Sequence, residues 1–267
     1  MPASDPKVPF FSRIVAFLLS LIVWIYIAFV TVAIYIPMAF CTVGLYFFDR
    51  NRRVNAWWGR LWGRSVISWN PFWRVEVLGR ENIQKGQAYV MISNHQSLAD
   101  ILVLSKINFH YKWMSKDEIF KVPFLGSMVF WAGHVRLKRG GLRSIRQAIA
   151  RAEFWLGRGI SMMMFPEGTR SNTGELAKFL DGAFLLAIKT QRPILPIVLT
   201  GTRDAMPKGS FVFRTKQVGR IQVLPPIDVS GFTLRDIEQL KSQVHQVMLK
   251  AKLVLEASMS QPLSASV

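Results

Sequence analysis

Residues 14–48 contain no Asp, Glu, Lys or Arg, an uncharged run of 35 residues. As one helix rising ~1.5 Å per residue, it would be more than ~50 Å long. The hydrocarbon core of a bilayer is only ~30 Å thick, so a single straight span does not use the whole run. Two arrangements do. Either one helix crosses and a second lies at the interface, or two shorter helices dip into one leaflet. Pro37 lacks a main-chain N–H and is the natural place for the break. The run is too long for a buried core helix, and too long for the ~7–15 apolar residues of a cleaved signal peptide.

The flanks support a membrane reading. Residues 50–74 carry Arg50, Arg52, Arg53, Arg60, Arg64 and Arg74, interleaved with Trp57, Trp58, Trp62, Trp69 and Trp73. Arginine with tryptophan is the chemistry of the bilayer interface. The other side of the run holds only Lys7 and Arg13. The positive excess thus puts the body of the protein on the cytoplasmic side of a membrane, a bacterial inner membrane or its endoplasmic-reticulum equivalent. Over the whole chain, 34 Lys plus Arg stand against 16 Asp plus Glu, a formal net charge of +18. Such an excess attracts nucleic acid, anionic lipid or phosphorylated substrates. Hydrophobic residues make up 51% and charged ones only 19%, which selects lipid, and no nucleic-acid partner is expected. The lone Cys41 lies inside the apolar run, excludes an intramolecular disulfide, and reads as packed or lipid-facing.

From about residue 74 the pattern changes. Short apolar runs suggest strands near 74–78, 88–93, 111–115, 134–137, 160–165, 194–200 and 220–225. Helical patterns fall near 97–107, 122–131, 142–157, 181–190 and 233–256. Interleaved strands and helices argue for an α/β fold, a mostly parallel central sheet flanked by helices, preceded by a membrane-associated helical segment. The expected division is an anchoring and interface region over 1–73, a catalytic α/β domain over 74–257 and a frayed tail over 258–267.

Functional groups in such a sheet gather at the carboxyl ends of strands. His95 follows one strand and precedes an apolar helix, in Ser93-Asn94-His95-Gln96-Ser97-Leu98-Ala99-Asp100. An imidazole of pKa ~6.5 is a good proton acceptor at neutral pH. A carboxylate on its other nitrogen fixes the tautomer, and Asp100 reaches it if His95 precedes the helix and the chain turns back. The same residues admit a plainer reading. Ser97 and Asp100 form an S-x-x-D capping pattern, so Asp100 would only stabilise a helix start and His95 would be a surface residue. A second candidate is Pro166-Glu167-Gly168-Thr169-Arg170-Ser171, where a buried strand ends and presents a guanidinium suited to phosphate. Its plainer reading is a surface turn. Arg136, Lys138 and Arg139 make a third cluster, while Arg143 and Arg146 read as a solvated basic face.

Other chemistries find no support. The chain has no G-x-S-x-G elbow, no G-x-x-x-x-G-K-[ST] loop and no G-x-G-x-x-G. His95, His110, His134 and His245 lack zinc spacing. Neither a metal nor a nucleotide cofactor is implied.

Taken together, these blocks resemble the glycerolipid acyltransferases typified by 1-acylglycerol-3-phosphate acyltransferase. Residues 94–100 match that family's N-H-x-x-x-x-D motif. Residues 133–139 resemble its second block, a glycine and then a strand ending in Arg. Phe165-Pro166-Glu167-Gly168-Thr169-Arg170-Ser171 matches the third, and Ile194-Leu195-Pro196-Ile197-Val198 the fourth. The resemblance covers about residues 74–225, and four blocks in order are specific where each alone is modest. Two departures stand out. Arg136 occupies a position that is usually aromatic or small. Lys178-Phe179-Leu180-Asp181-Gly182 lacks the lysine that commonly follows the phenylalanine, so a headgroup contact there is either lost or taken over by Lys178.

The resemblance implies direct acyl transfer from acyl-CoA or acyl carrier protein to the sn-2 hydroxyl of lysophosphatidic acid. His95 is then the general base and Asp100 its orienting carboxylate. Arg139 and Arg170 bind the acceptor phosphate, with Lys178 as a further headgroup contact. Glu167, Gly168 and Thr169 shape the site. Two kinds of alternative remain open on the sequence: an acyltransferase for glycerol-3-phosphate, another lysophospholipid or a lyso-lipoamino acid, and a non-catalytic basic membrane-binding protein.

Overall fold

The computed structural model describes residues 10–68, 73–138, 140–171, 173–203, 205, 212–213 and 217–259. Two helices lead, α1 (Phe10–Gly44) and α2 (Arg53–Ser68). The α/β part follows as β1 (Trp73–Leu78), β2 (Val90–Ser93), α3 (Ala99–Leu104), β3 (Tyr111–Lys116), α4 (Leu125–Trp131), β4 (Val135–Leu137), α5 (Leu142–Gly157), β5 (Ser161–Met164), α6 (Gly182–Thr190), β6 (Ile194–Thr200), β7 (Gln217–Val223) and α7 (Ile237–Met259). The strands form one sheet in the order β1-β7-β6-β2-β5-β3-β4. All neighbours pair in parallel except β6 and β7. This is the mostly parallel, helix-flanked architecture that the interleaved pattern predicts.

The central strands are buried on both faces, and alternation sorts their side chains between two cores. Val90 and Ile92 of β2, Met162 and Met164 of β5 and Val198 of β6 join one core with residues of α5, α6 and α7. Met91, Met163, Leu195, Ile197 and Leu199 join the other, with residues of α3 and Ile67 of α2.

The expected break in the apolar run does not occur. α1 is one continuous helix that carries Pro37 inside it. Val30, Ile34 and Met38, four residues apart on one stripe that spans the proline, are buried against α2 and α4. Burying three such side chains stabilises by ~1.5–3 kcal/mol each, which outweighs the ~3 kcal/mol that an internal proline costs. The membrane-thickness argument failed because this half of the helix packs on protein. Elsewhere α1 turns Phe17, Phe29 and Phe40 outward, and it is long and apolar enough to cross a membrane.

The arginine–tryptophan stretch also does more internal joining than its composition suggests. Trp58 and Trp62 pack against α1, and Trp62 Nε1 donates to Thr31 Oγ1 at 2.9 Å. Arg64 Nε donates to the Ser105 carbonyl, and Arg52 Nη1 to the Phe130 and Trp131 carbonyls. Trp57 remains about half exposed. Trp69 and the tail beyond Met259 lie outside the described residues.

One buried cation fastens these helices to the sheet. Lys112 of β3 is fully buried. Its Nζ donates to the Ala132 carbonyl at 2.7 Å, just past α4, and to the Arg52 carbonyl at 3.0 Å, just before α2. Burial above all, with Arg52, Arg60 and Arg53 nearby and only Asp49 opposing, lowers its pKa to about 7. The unfolded chain keeps Lys112 protonated to pH ~10.4. Between those values the unfolded state binds the extra proton, so this group makes stability rise with pH. In Lys112→Met that contribution is absent. The melting temperature of the wild type minus that of the variant should therefore increase from pH 7 to pH 10. A pH-independent difference would contradict the assignment.

Candidate active site

Asp100 enters α3 as its second residue, and the turn before the helix folds back onto its carboxylate. Oδ2 accepts from His95 Nδ1 at 2.7 Å, Gln96 N at 2.7 Å and Ser97 N at 2.9 Å. Asp100 is fully buried and His95 nearly so. The capping and dyad readings of the sequence are thus both realised, by one oxygen. Because His95 precedes the helix, a separation of five positions does not splay the pair. In the tautomer that donates Nδ1–H to Asp100, the Nε2 lone pair of His95 is left free to accept a hydrogen bond.

The turn is held from its other sides. The His95 ring stacks on Phe165, with centroids 3.9 Å apart and planes 10° apart. Phe165 in turn lies against Trp113 at 5.4 Å. The Asn94 side chain pairs with Leu199 of β6 as a strand would, Nδ2 donating to its carbonyl and Oδ1 accepting from its N–H.

Glu167 follows β5, the neighbour of β2. Its Oε1 accepts from His95 N at 2.7 Å and its Oε2 from Ala177 N at 3.1 Å. Burial raises its pKa, the two N–H donors pull it down, and Asp100 raises it again. Glu167 is therefore a main-chain clamp. Gly168 turns the chain at φ +69°, a left-handed conformation that favours glycine. Ser171 N donates to the His95 carbonyl at 2.8 Å, which seats the 166–171 turn beside the imidazole. Arg170 is half-buried on that turn, and no group among the described residues pairs with its guanidinium. Thr169 and Lys178 are exposed, and nothing among the described residues ties Lys178 to His95. Arg139 lies outside the described residues, while Arg136 of the same cluster pairs with Asp117. Arg143 and Arg146 are exposed.

An apolar cavity of ≈ 380 Å³ lies beneath α1–α4. Leu98 and Ala99, directly after the dyad turn, and Trp113, behind Phe165, form part of its wall. Ala56, Gly59 and Gly63 of α2 line another side.

An acyltransferase family profile matches residues 74–200. The 1-acyl-sn-glycerol-3-phosphate acyltransferase of Limnanthes alba is 31% identical over 203 residues, covering 74% of this chain and 70% of that protein. The chain belongs to the 1-acyl-sn-glycerol-3-phosphate acyltransferase family. The chloroplastic family member BAT2 of Brassica napus is 41% identical over 165 residues, 61% of this chain and 47% of that protein. The chain spans about half the length of such curated relatives. The crystal structure of the 1-acyl-sn-glycerophosphate (LPA) acyltransferase PlsC from Thermotoga maritima superposes with a TM-score of 0.75 at 27% identity, over 91% of this chain and 98% of that one.

Within this family frame the structure adds residues that motif reading did not single out. The stacking partner Phe165 and the clamp Asn94 both sit inside quoted motifs, yet their roles depend on β2 lying between β5 and β6. The cavity walls on α2 carry a legible signal only in hindsight, small residues at 56, 59 and 63 on one helical face. Of the other histidines, His134 lines the apolar cavity and accepts from Trp113 N, whereas His110 lies beside Arg60 and His245 against Phe179. Among the described residues no cluster of three His, Cys, Asp or Glu could hold a metal ion.

Glu167→Ala leaves the N–H groups of His95 and Ala177 without their acceptor, at roughly 1–3 kcal/mol each. For a chain of this size ~1 kcal/mol corresponds to about 2–4 °C, so thermal denaturation should show Tm at least ~5 °C lower. An unchanged Tm would mean that the clamp carries no weight.

Proposed function

We propose that the protein transfers an acyl group from a thioester donor, acyl-CoA or acyl carrier protein, to the sn-2 hydroxyl of lysophosphatidic acid, giving phosphatidic acid. The observation that carries this reading is the buried His95–Asp100 pair with Nε2 left over, set beside the Arg170 turn and above an apolar cavity. His95 Nε2 removes the hydroxyl proton as the oxygen attacks the thioester carbonyl, and Asp100 balances the imidazolium. The tetrahedral intermediate then collapses, and the departing thiolate takes the proton back from the imidazolium. No acyl-enzyme forms. Positioned general-base catalysis supplies about 10²–10⁴-fold, and holding two substrates together supplies more.

Arg170, with Arg139, takes the acceptor phosphate, and Lys178 extends the basic surface. The donor acyl chain lies in the apolar cavity. No resident cofactor is required. The apolar face of α1 holds the enzyme at a bilayer, with the domain on the cytoplasmic side, so a lipid acceptor need not pass through water. The names of the relatives support the substrate class.

Transfer is measured with radiolabelled donor and a panel of acceptors. In His95→Ala it should fall by at least ~10²-fold with the fold retained by circular dichroism, and near-normal turnover would defeat the mechanism. Arg170→Ala should raise KM for lysophosphatidate by about 10-fold or more, as expected for loss of a charged hydrogen-bond partner, and unchanged kinetics would remove its phosphate role.

The cavity makes a second prediction. A Cβ at Gly59 would meet nothing within 4 Å. Gly59→Leu should therefore fill part of the cavity without harming α2, where glycine costs ~1 kcal/mol relative to good helix formers. Its kcat/KM for 16- and 18-carbon donors should drop relative to shorter ones. An unaltered chain-length profile would place the acyl chain elsewhere.

A further inference from the structure

A second, polar cleft of ≈ 330 Å³ opens beside the same turn. Gln96 lines this cleft, whereas Leu98 and Ala99 line the apolar cavity. The sheet order explains the separation. β6, whose end forms one wall of the cleft, flanks β2 on one side, and β5 and β3 lie on the other, under the apolar cavity. The turn that follows His95 therefore separates the two, with Gln96 on the polar side and Leu98 and Ala99 on the apolar side.

The charges in the cleft are specific. Lys252 of α7 is buried and paired with Glu256, so the two add no net charge. Arg203, just past β6, is exposed and has no acidic partner among the described residues. Its guanidinium lies along the turn at Gly174, where a Cβ would stand 3.2 Å from Nη1 and where φ is +88°. Glycine at 174 thus leaves the room that the arginine fills. Thr173, Thr200 and the Gln96 carboxamide add uncharged hydrogen-bonding groups. Glu175 on the wall brings the formal charge of the lining to zero. One available guanidinium and several neutral polar groups suit a long amide chain that ends in a phosphate, and they suit a bare polyanion poorly.

We propose that this cleft holds the phosphopantetheine arm of the thioester donor, with Arg203 pairing with its phosphate, an assignment that rests on the acyl-transfer reading above. The acyl chain then enters the apolar cavity, the carbonyl stands at His95, and the amide arm leaves through the cleft on the opposite side. The same arm occurs in coenzyme A and in acyl carrier protein.

The test is calorimetric binding of 4′-phosphopantetheine and of pantetheine to the full-length protein. The wild type should bind the phosphorylated compound about 10-fold more tightly, ~1.4 kcal/mol. Arg203→Ala should erase that difference with Tm unchanged, and Arg203→Lys should restore part of it. Coenzyme A and holo acyl carrier protein, titrated in parallel, identify the source as the one that loses the same factor in Arg203→Ala. Equal binding of the two small compounds by the wild type, or a difference that survives Arg203→Ala, overturns the assignment. So does a loss confined to lysophosphatidate, which would make the cleft a headgroup site. If the wild type binds phosphopantetheine through Arg203 yet transfers no acyl group from any donor, the transfer reading fails and the cleft assignment stands.

Discussion

A buried carboxylate must be satisfied by hydrogen bonds or it destabilises the fold. Asp100 meets this demand with donors drawn from the turn just before its own helix. One oxygen gathers the His95 imidazole and the main-chain N–H groups of Gln96 and Ser97. That arrangement fixes where α3 begins. Had the helix started a turn earlier, His95 and Asp100 would have pointed to different faces, because residues five apart on a helix do not meet. Glu167 repeats the device from β5 by accepting the His95 N–H, and Ser171 donates to the His95 carbonyl. The main chain of His95 is thus bonded on both sides and its ring is stacked on Phe165. The imidazole occupies one position because four separate contacts agree on it.

Much of this was legible in the chain. Strands buried on both faces appear as short apolar runs closed by polar turns. For that reason β2, β5 and β6, with His95 and Glu167 just beyond two of them, could be placed from pattern alone. The motif spacing also indicated that His95 and Asp100 belong together. It could not tell capping from orientation, and the structure shows why: Ser97 N and His95 Nδ1 share one acceptor. Stacking by Phe165 and pairing of Asn94 with Leu199 depend on strand order. Strand order is a long-range property that local periodicity does not carry.

The misreading of the apolar run has the same origin. The break at Pro37 follows from bilayer thickness only for a helix with no protein partner, and residues 30–38 of α1 spend their apolar stripe on α2 and α4. Likewise the arginines and tryptophans of α2 looked like surface chemistry. Arg52, just before α2, bonds to carbonyls of α4, and within α2 Arg64 bonds to the Ser105 carbonyl just past α3 and Trp62 to Thr31 of α1. Composition reports what a segment is suited to touch, and only packing decides what it does touch.

That packing joins the apolar helix to the site. Trp24 and Ile27 of α1 and Ala56, Gly59 and Gly63 of α2 line the apolar cavity, whose far wall includes Leu98, Ala99 and Trp113. A helix that served only as a tether could be replaced without changing the cavity. Here the two leading helices form its roof, so their angle against α4 sets the space beside His95. Lys112 holds that angle by bonding to the carbonyls of Arg52 and Ala132 together. The lysine accepts burial, and with it a weakened hold on its proton, in return for satisfying the Ala132 carbonyl and adding a second donor to the Arg52 carbonyl, which also accepts from Ala56 N. The position of the apolar helix and the shape of the cavity are therefore one structural quantity, set at a residue that does not line the cavity itself.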